Sequence, residues 1–401
     1  MAKVVMAYSG GLDASVCIHW LRHSRGYEVI TFSADLGQDA SAELLARRAL
    51  ALGAGSALTS DLREKFLKEV AFPSIKAGAR TFGGSYLGTA LSRPFITAEL
   101  VRIAKEENCE FIAHGGRGKS NDLARFRACV DMLAPHLQVL APLVGKQFLS
   151  RKTAVEYAKK NGLPLQVTEP ATYSYDQNLW GTSIGSIDIE DLWAEPPPAL
   201  FASTKSPEEA PDKPAYMEID FEEGEPVAVN GERLSPIELV ELINKLGGEN
   251  AIGRLDSIET KITGIKVRIV SESPAAHLLG TALLALEDIV LTKELLEHKR
   301  YASIRYTRLV HEGLWFLLER EALDNFFNKA HKYSTGSVRL KLYKGNCMVV
   351  GRKSKFSLYD RGLATIGQEE KFDYADVQGF LNIVEIPVKL ESNQRKLAEE
   401  D

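Results

Sequence analysis

Two serines, two glycines and an aspartate stand together almost at the start of the chain. The apolar run of residues 4–8 is followed directly by the segment Ser9-Gly10-Gly11-Leu12-Asp13-Ala14-Ser15. An apolar run, paired glycines and an amphipathic segment predict a strand, a tight turn and a helix. Such a turn directs backbone N–H groups and the positive end of a helix at one point, which favours a bound phosphate. The serine hydroxyls add hydrogen-bond donors, and the Asp13 carboxylate suits Mg²⁺.

Other interpretations of this segment must be weighed. Two glycines alone are equally compatible with an ordinary turn between a strand and a helix. The segment lacks the G-x-G-x-x-G pattern and the lysine of a Walker A loop. Asp35 follows the glycines at about the distance seen in dinucleotide-binding folds, but without the glycine fingerprint that alternative is weak.

A second glycine-rich stretch, residues 115–122, follows an apolar run at 111–113. It contains Gly118-Lys119-Ser120, but the position that a Walker A motif needs as glycine is Ala113, so that motif fails by one residue. The stretch is either a flexible loop that supplies Asn121, Asp122 and Arg125 to a ligand, or a solvated basic turn. The residues alone leave both open.

The elements around these stretches alternate along the first part of the chain. Strands are predicted at 4–8, 28–34, 109–113 and 138–142, and helices after the first loop and at 43–52, 61–70 and 151–160. This alternation predicts a parallel sheet covered on both faces. Ligands of such sheets bind beyond the carboxyl ends of the strands, which places both loops and Ala34 on one rim.

The second part of the chain has a different pattern, typical of an α+β region. Hairpins are predicted at 216–229 and 337–350, and helices from the capping box at Ser235 to Gly247 and over 274–296. The polar, aromatic stretch 172–180 is expected to contribute to a site. The proline-rich stretch 195–214 is either a flexible linker or a strap across a surface. The charged residues from Lys389 onward are expected to be frayed. We place domain boundaries at 1–165, 166–370 and 371–401.

Composition excludes several classes of function. The 401 residues carry a net charge of −5, so no basic surface argues for a nucleic-acid partner. No apolar run approaches the ~18 residues of a membrane span, and residues 1–8 do not resemble a leader. The four cysteines share no metal-ligand spacing. A cytoplasmic enzyme is the expectation.

The first loop resembles the SGGxDS pyrophosphate loop of the ATP pyrophosphatase superfamily, with Ala14 between Asp13 and Ser15. From Lys3 to about Leu381 the chain resembles the argininosuccinate synthase family. The resemblance rests on many short stretches in order: Ala34-Asp35-Leu36-Gly37-Gln38, Gly88-Thr89, Arg93-Pro94, His114-Gly115, Gly118-Lys119, Asn121-Asp122, Arg125-Phe126, Asn178-Leu179-Trp180-Gly181, Gly264-Ile265-Lys266 and 338–345.

The resemblance implies a fold, a reaction and a site. The fold is α/β, with a parallel-sheet nucleotide-binding domain of ATP pyrophosphatase type followed by an α+β synthetase and oligomerisation domain. The reaction joins citrulline to aspartate with ATP and Mg²⁺ and releases AMP and pyrophosphate, in a homotetramer. The implied ATP-binding residues are Ala7, Tyr8, Ser9, Gly10, Gly11, Leu12, Asp13, Ser15, Ala34 and Gly115. Asn121 and Asp122 are implied to contact aspartate, and the implied citrulline contacts are Asn121, Arg125, Ser174, Ser183 and Glu259. We assign the catalytic roles to Asp13 and Asp122.

Several positions depart from the family pattern. Ser85 and Ser271 stand where the family has tyrosines, and Ala90 stands where it has a serine or threonine; these three positions belong to the citrulline site of the family. Arg117 replaces a threonine that contacts aspartate, Ala14 replaces a threonine of the loop, and Thr182 replaces an arginine. Two alternatives to citrulline ligation therefore stay open: a paralogue that adenylates another ureido or amide compound, and a nucleotide-binding scaffold without turnover.

Overall fold

A computed structural model describes residues 1–145, 148, 150–164, 173–364 and 371–400. The chain forms two compact units, Met1–Phe356 and Ser357–Asp401. The domain boundaries at 165/166 and 370/371 fall next to or within stretches outside the described residues, and they stay predictions.

The first unit begins with a parallel sheet, as predicted, and the sheet has five strands, one more than the sequence indicated. Its strands are β1 (Lys3–Ala7), β2 (Glu28–Asp35), β3 (Ser56–Asp61), β4 (Phe111–Ala113) and β5 (Gln138–Leu140), in the order β3-β2-β1-β4-β5. Val5 packs into one hydrophobic core, whereas its neighbours Val4 and Met6 pack into another. Because successive side chains of a strand point to opposite faces, both faces of this sheet are covered.

The helices of this part are α1 (Leu12–Arg25), α2 (Ala42–Ala51), α3 (Arg63–Phe66), α4 (Phe72–Lys76), α5 (Gly88–Glu106), α6 (Asp122–Leu133) and α7 (Arg151–Lys160). The helix predicted at 61–70 was wrong at its start, because Asp61 ends β3 and pairs with Asp35. The sequence of β3 is mostly polar, as suits an edge strand, and so gave no strand signal. The predicted loop at 115–122 stops at Asn121, since Asp122 and Arg125 belong to α6.

Two antiparallel sheets follow in the second part of this unit. The four-stranded sheet has the order β11-β12-β7-β6, with β6 (Tyr173–Asn178), β7 (Gly181–Ser186), β11 (Arg254–Thr260) and β12 (Lys266–Glu272). The five-stranded sheet has the order β10-β9-β8-β13-β14, with β8 (Ala215–Glu222), β9 (Glu225–Val229), β10 (Glu232–Arg233), β13 (Gly336–Tyr343) and β14 (Asn346–Lys353). Both predicted hairpins are present.

The helices of the second part are α8 (Pro236–Glu249), α9 (Pro274–Val290), α10 (Lys293–Glu312) and α11 (Leu318–Ala330). The capping box at Ser235 is present as predicted. The single helix predicted over 274–296 was wrong, because Leu291 is extended and ends α9. Thr292 then caps α10, its hydroxyl accepting a hydrogen bond from the Leu295 N–H. Thr292 is an N-cap residue within a continuous apolar pattern, and it is the sequence signal for the start of a second helix.

The proline-rich stretch 195–214 is a strap attached to the sheet and not a free linker. The buried Glu272 carboxylate accepts hydrogen bonds from the backbone N–H groups of Ala202 and Ser203, at 3.0 Å each, and from the Thr204 hydroxyl at 2.7 Å. Arg254 donates to Thr204 and stacks over Phe201.

The second unit contains α12 (Arg361–Ala364), α13 (Tyr374–Val384) and α14 (Ile386–Glu400). The frayed tail predicted from Lys389 was wrong, because residues up to 400 are helical. A Lys389–Glu385 ion pair and an Arg395–Glu391 ion pair, both four residues apart, support this helix. Across the described chain, no helix is long and apolar enough to span a bilayer.

Candidate functional site

The strand order places a switch of direction between β1 and β4. The chain steps outward from β1 to β2 and β3, then returns to the other side of β1 for β4. In parallel sheets such a switch opens a crevice at the carboxyl ends of the two central strands. A cavity of about 640 Å³ lies there, between the loop after β1 and the loop after β4.

The loop after β1 is held rigidly from behind. Gly10 has a φ of +81°, and a Cβ there would lie 2.5 Å from the Leu45 side chain, so only glycine fits. The hydroxyls of Tyr8 and the buried Ser15 lie 3.2 Å apart. Ser33 donates to the Tyr8 carbonyl at 2.8 Å. These contacts shape the loop, whereas its front faces the cavity.

The N-terminus of α1 begins at this loop. Gly11 is the N-cap residue, and no side chain within the described residues caps the helix. The free N–H groups of the first turn and the helix dipole therefore favour an anion in the cavity.

The loop after β4 packs directly against that first turn. A Cβ on Gly115 would lie 3.0 Å from the Ala14 nitrogen, so the two loops approach as closely as backbone allows. His114 stacks on Phe126 with ring centroids 4.6 Å apart, and its Nδ1 accepts a hydrogen bond from the Gly116 N–H. Burial lowers the pKa of His114 to about 4, so the ring is neutral and positions the loop.

Arg117 joins the two loops through an ion pair. Its Nε and Nη2 atoms lie 2.7 and 2.6 Å from the two carboxylate oxygens of Asp13. The Asp13 carboxylate was predicted to face a ligand. In the structure it is paired with the Arg117 guanidinium group, a partner that the sequence does not indicate.

Asp122 lies at the centre of a charged network. Its Oδ2 accepts from Arg93 Nε at 2.8 Å, and its Oδ1 accepts from Arg125 Nη1 at 3.2 Å. Arg93 also binds Asp176 at 2.6 Å. Burial would raise the pKa of Asp122, but the two guanidinium groups outweigh it and lower the pKa to about 2. Asp122 is therefore a permanent anion and no proton acceptor near neutral pH.

A second, smaller cavity of about 100 Å³ adjoins the first, and both are lined by Asp122 and Asp176. In its wall, Glu259 Oε1 accepts from Asn121 Nδ2 at 2.9 Å and lies 3.0 Å from His311 Nε2. Burial would raise the pKa of Glu259, but the contacts with His311 and nearby cations lower it overall. The Thr89 hydroxyl, also in this wall, is buried and has no hydrogen-bond partner within the described residues.

The structure brings the predicted site residues into two groups. Those on the larger cavity are Ala7, Tyr8, Ser9, Gly11, Leu12, Asp13, Ala34, Gly115, Asp122 and Ser174. Those on the smaller cavity are Asn121, Asp122, Arg125, Ser183 and Glu259. Gly10 and Ser15 lie behind the loop and support it.

The positions that depart from the family pattern are spread over the same site. Ser85 and Ala90 line the smaller cavity, and Ser271 is buried opposite Ser183 in the β12–β7 pairing. Tyr86 does not substitute for a tyrosine at 85, because it is buried in the core beside His277 and Gly280.

Arg93, Asp176 and His311 line the two cavities but were not among the predicted site residues. Arg93 had a signal, since it belongs to a stretch that carries the family resemblance, but its pairing partners Asp122 and Asp176 were not foreseeable. Asp176 stands in the polar stretch 172–180. His311 lies within the regular pattern of α10 and offered no signal at all.

A cation site can be assessed from the same residues. No group of three or more His, Cys, Asp or Glu side chains in the described chain could hold a metal ion. Mg²⁺ bound together with a nucleotide needs only one or two carboxylates, because phosphates and water complete its coordination. Asp13, at the helix N-terminus beside the cavity, fits that more modest requirement.

Comparisons with known proteins agree with this architecture. The family model described as arginosuccinate synthase N-terminal HUP domain matches residues 3–164, and the model described as arginosuccinate synthase C-terminal domain matches residues 173–391. An argininosuccinate synthase of Pelotomaculum thermopropionicum is 44% identical over 398 residues, covering 99% of each chain. Those of Desulfitobacterium hafniense and Carboxydothermus hydrogenoformans are each 43% identical, covering 99% and 98% of each chain. The two family models match both halves of the chain, and the relatives match nearly its full length. The chain therefore belongs to the argininosuccinate synthase family.

Proposed function

We propose that the chain is an ATP-dependent carbon–nitrogen ligase that adenylates the ureido oxygen of citrulline and condenses the product with aspartate, releasing AMP and pyrophosphate. The observation that carries this proposal is the pair of adjoining cavities that share Asp122. One cavity faces a phosphate-type loop and the other is lined by polar side chains. Reactants that must meet in line need such adjoining sites.

The residues divide between the substrates as the resemblance implies. ATP is assigned to Ala7, Tyr8, Ser9, Gly10, Gly11, Leu12, Asp13, Ser15, Ala34 and Gly115. Aspartate is assigned to Asn121 and Asp122. Citrulline is assigned to Asn121, Arg125, Ser174, Ser183 and Glu259. Gly10 and Ser15 act by shaping the loop.

The chemistry requires positioning more than proton transfer. The ureido oxygen attacks the α-phosphorus and pyrophosphate leaves. The aspartate ammonium group loses a proton to solvent, and the resulting amine attacks the activated carbon; a second proton then passes to solvent and AMP leaves. N–H groups at the start of α1 stabilise the negative charge of the departing pyrophosphate. Asp13 would hold Mg²⁺, which supplies further charge neutralisation when bound.

Asp122 acts as a fixed negative charge. Both of its oxygens already accept hydrogen bonds from arginines, and each retains a lone pair for a further donor. An aspartate ammonium group is a suitable donor. Asp122 would thus orient the amine without taking its proton.

The test is pyrophosphate release from Mg-ATP with aspartate and citrulline, run beside a panel of other ureido and amide compounds. Citrulline-dependent release, with argininosuccinate detected by mass spectrometry, is the expected result. Release only with another acceptor would identify a paralogue, and no release with any acceptor would identify a scaffold. From the resemblance we also expect a homotetramer in the cytoplasm, which light scattering and cell fractionation would test.

A further inference from the structure

The Arg117–Asp13 ion pair is a bidentate contact between the two loops that enclose the larger cavity. Both side chains line that cavity and remain about one quarter exposed, at 25% and 28%. A guanidinium group matches the geometry of phosphate oxygens as well as it matches a carboxylate. An anion entering the cavity can therefore compete with Asp13 for Arg117.

Contacts on both sides hold the backbone that carries Arg117, which favours a change of partner by the side chain. Gly115 rests against the first turn of α1, and the Gly116 N–H is bound to His114 Nδ1 at 3.0 Å. On the other side, the Ser120 N–H donates to the Arg117 carbonyl at 2.8 Å, which closes a turn. A change of partner at Arg117 requires side-chain rotation and no movement of the loop.

Two other arginines of the site are not available for such an exchange. Arg93 holds both Asp122 and Asp176, and Arg125 holds Asp122 and the His311 carbonyl. Withdrawing either group would leave a largely buried carboxylate without a full set of partners, which is costly. If Arg117 changes partner, the only carboxylate that loses its ion pair is Asp13, which is partly exposed and can be hydrated instead.

We propose that Arg117 is a side chain that binds the pyrophosphate end of the nucleotide, exchanging the Asp13 carboxylate for phosphate oxygens when ATP enters. The inference rests on the proposed ATP site. It assigns to Arg117 a phosphate-binding role and not the contact with aspartate held by the threonine that it replaces. The unliganded ion pair keeps the guanidinium group in place and screens its charge until the phosphate arrives.

The test measures binding of inorganic pyrophosphate to the full chain by calorimetry in the presence of EDTA. Arg117→Gln should weaken this binding by about tenfold to a hundredfold, since charge-assisted hydrogen bonds are lost. Asp13→Asn should act in the opposite direction and strengthen metal-free binding by about two- to fivefold, because it removes the competing carboxylate. Lys119→Gln, an equal change of charge at an exposed position of the same loop, should have a much smaller effect. Circular dichroism confirms that each variant is folded.

Three results would overturn the inference. Equal weakening of pyrophosphate binding by Arg117→Gln and Lys119→Gln would mean that only the total charge of the loop matters. Weakening by Asp13→Asn without metal would mean that the ion pair only maintains the loops. Unchanged pyrophosphate affinity with weakened binding of aspartate in the same calorimetric assay would return Arg117 to the amino-acid site. None of these depends on citrulline-dependent turnover of the unaltered chain, whose absence would instead refute the proposed function.

Discussion

The larger, nucleotide-side cavity and the smaller, acceptor-side cavity meet at Asp122 but are built differently. The larger cavity lies at the ends of adjacent parallel strands, between two loops whose glycines allow the closest approach of the backbone. The smaller cavity depends on side chains from distant segments, such as Asn121 and Glu259, which are 138 residues apart, and Asn121 and His311, which are 190 apart. A loop that binds a ligand through backbone N–H groups keeps its donors when a side chain is substituted. A site that binds through side chains loses or changes a contact with each substitution.

The positions that depart from the family pattern follow this division. Ser85, Ala90 and Ser271 lie on or beside the acceptor-side cavity, where the shorter reach of serine and the missing hydroxyl of alanine remove potential ligand contacts. Ala14 lies in the first loop, whose N–H groups remain. The comparison predicts that substitutions at the acceptor-side cavity alter binding of the acceptor and leave ATP binding unaffected, and that substitutions at the nucleotide-side cavity do the reverse.

The largest effect is expected on the nucleotide side from Asp13→Ala. Loss of the carboxylate at the phosphate loop should lower the rate of pyrophosphate release by about 100-fold or more, as for other residues that stabilise developing charge. Steady-state kinetics measures this, with thermal unfolding to show an intact fold. Asp131→Ala, on the exposed face of α6, is the matched control, and a normal rate for Asp13→Ala would remove the carboxylate from the reaction.

The next effect is expected where the two cavities meet. Arg93→Ala removes one of the two guanidinium groups bound to the buried Asp122 and should lower the free energy of unfolding by about 2 kcal/mol, because a charge-assisted hydrogen bond to a buried carboxylate is lost. Urea unfolding measures it. Arg102→Ala removes the same type of side chain from an exposed position of α5 and should cost no more than about 1 kcal/mol. Equal losses from both would show that the network contributes no special stability.

A smaller effect is expected on the acceptor side alone. Glu259→Gln removes the charge that accepts from Asn121 and lies beside His311, and should raise the KM for the acceptor by about tenfold with an unchanged KM for ATP. Glu232→Gln, at an exposed site, serves as the control. A parallel rise in both KM values would mean that the two cavities are not independent.

The effect that is smallest near neutral pH, and grows only on acidification, is a pH dependence of stability that arises at the second loop. The folded chain keeps the pKa of His114 at about 4, whereas the unfolded chain protonates it near pH 6.5. The stability from this group is therefore fully present above about pH 6.5 and is lost as the pH falls towards 4, at up to ~1.4 kcal/mol per pH unit. Urea unfolding at several pH values should show a shallower slope for His114→Gln than for the exposed control His136→Gln. Identical slopes would contradict a buried neutral His114.

Much of the fold was predictable because its signals are local. The paired glycines, the apolar runs of β1 and β2 and the Ser235 capping box each act within a few residues. The errors have local causes as well. The edge strand β3 is polar, the Thr292 cap interrupts an otherwise continuous apolar pattern, and α14 is held by pairs of opposite charge four residues apart.

The sequence by itself determined the first loop, its strand and helix, and the family to which the chain belongs. Chain connectivity alone places Gly10, Gly11 and Asp13 at the end of β1, so no distant contact is needed to recognise a phosphate site. Only the tertiary structure decided which charges meet. It paired Arg117 with Asp13, 104 residues away, and brought His311 to Glu259. Ion pairs between loops depend on side-chain distances of a few ångströms, which no local pattern specifies.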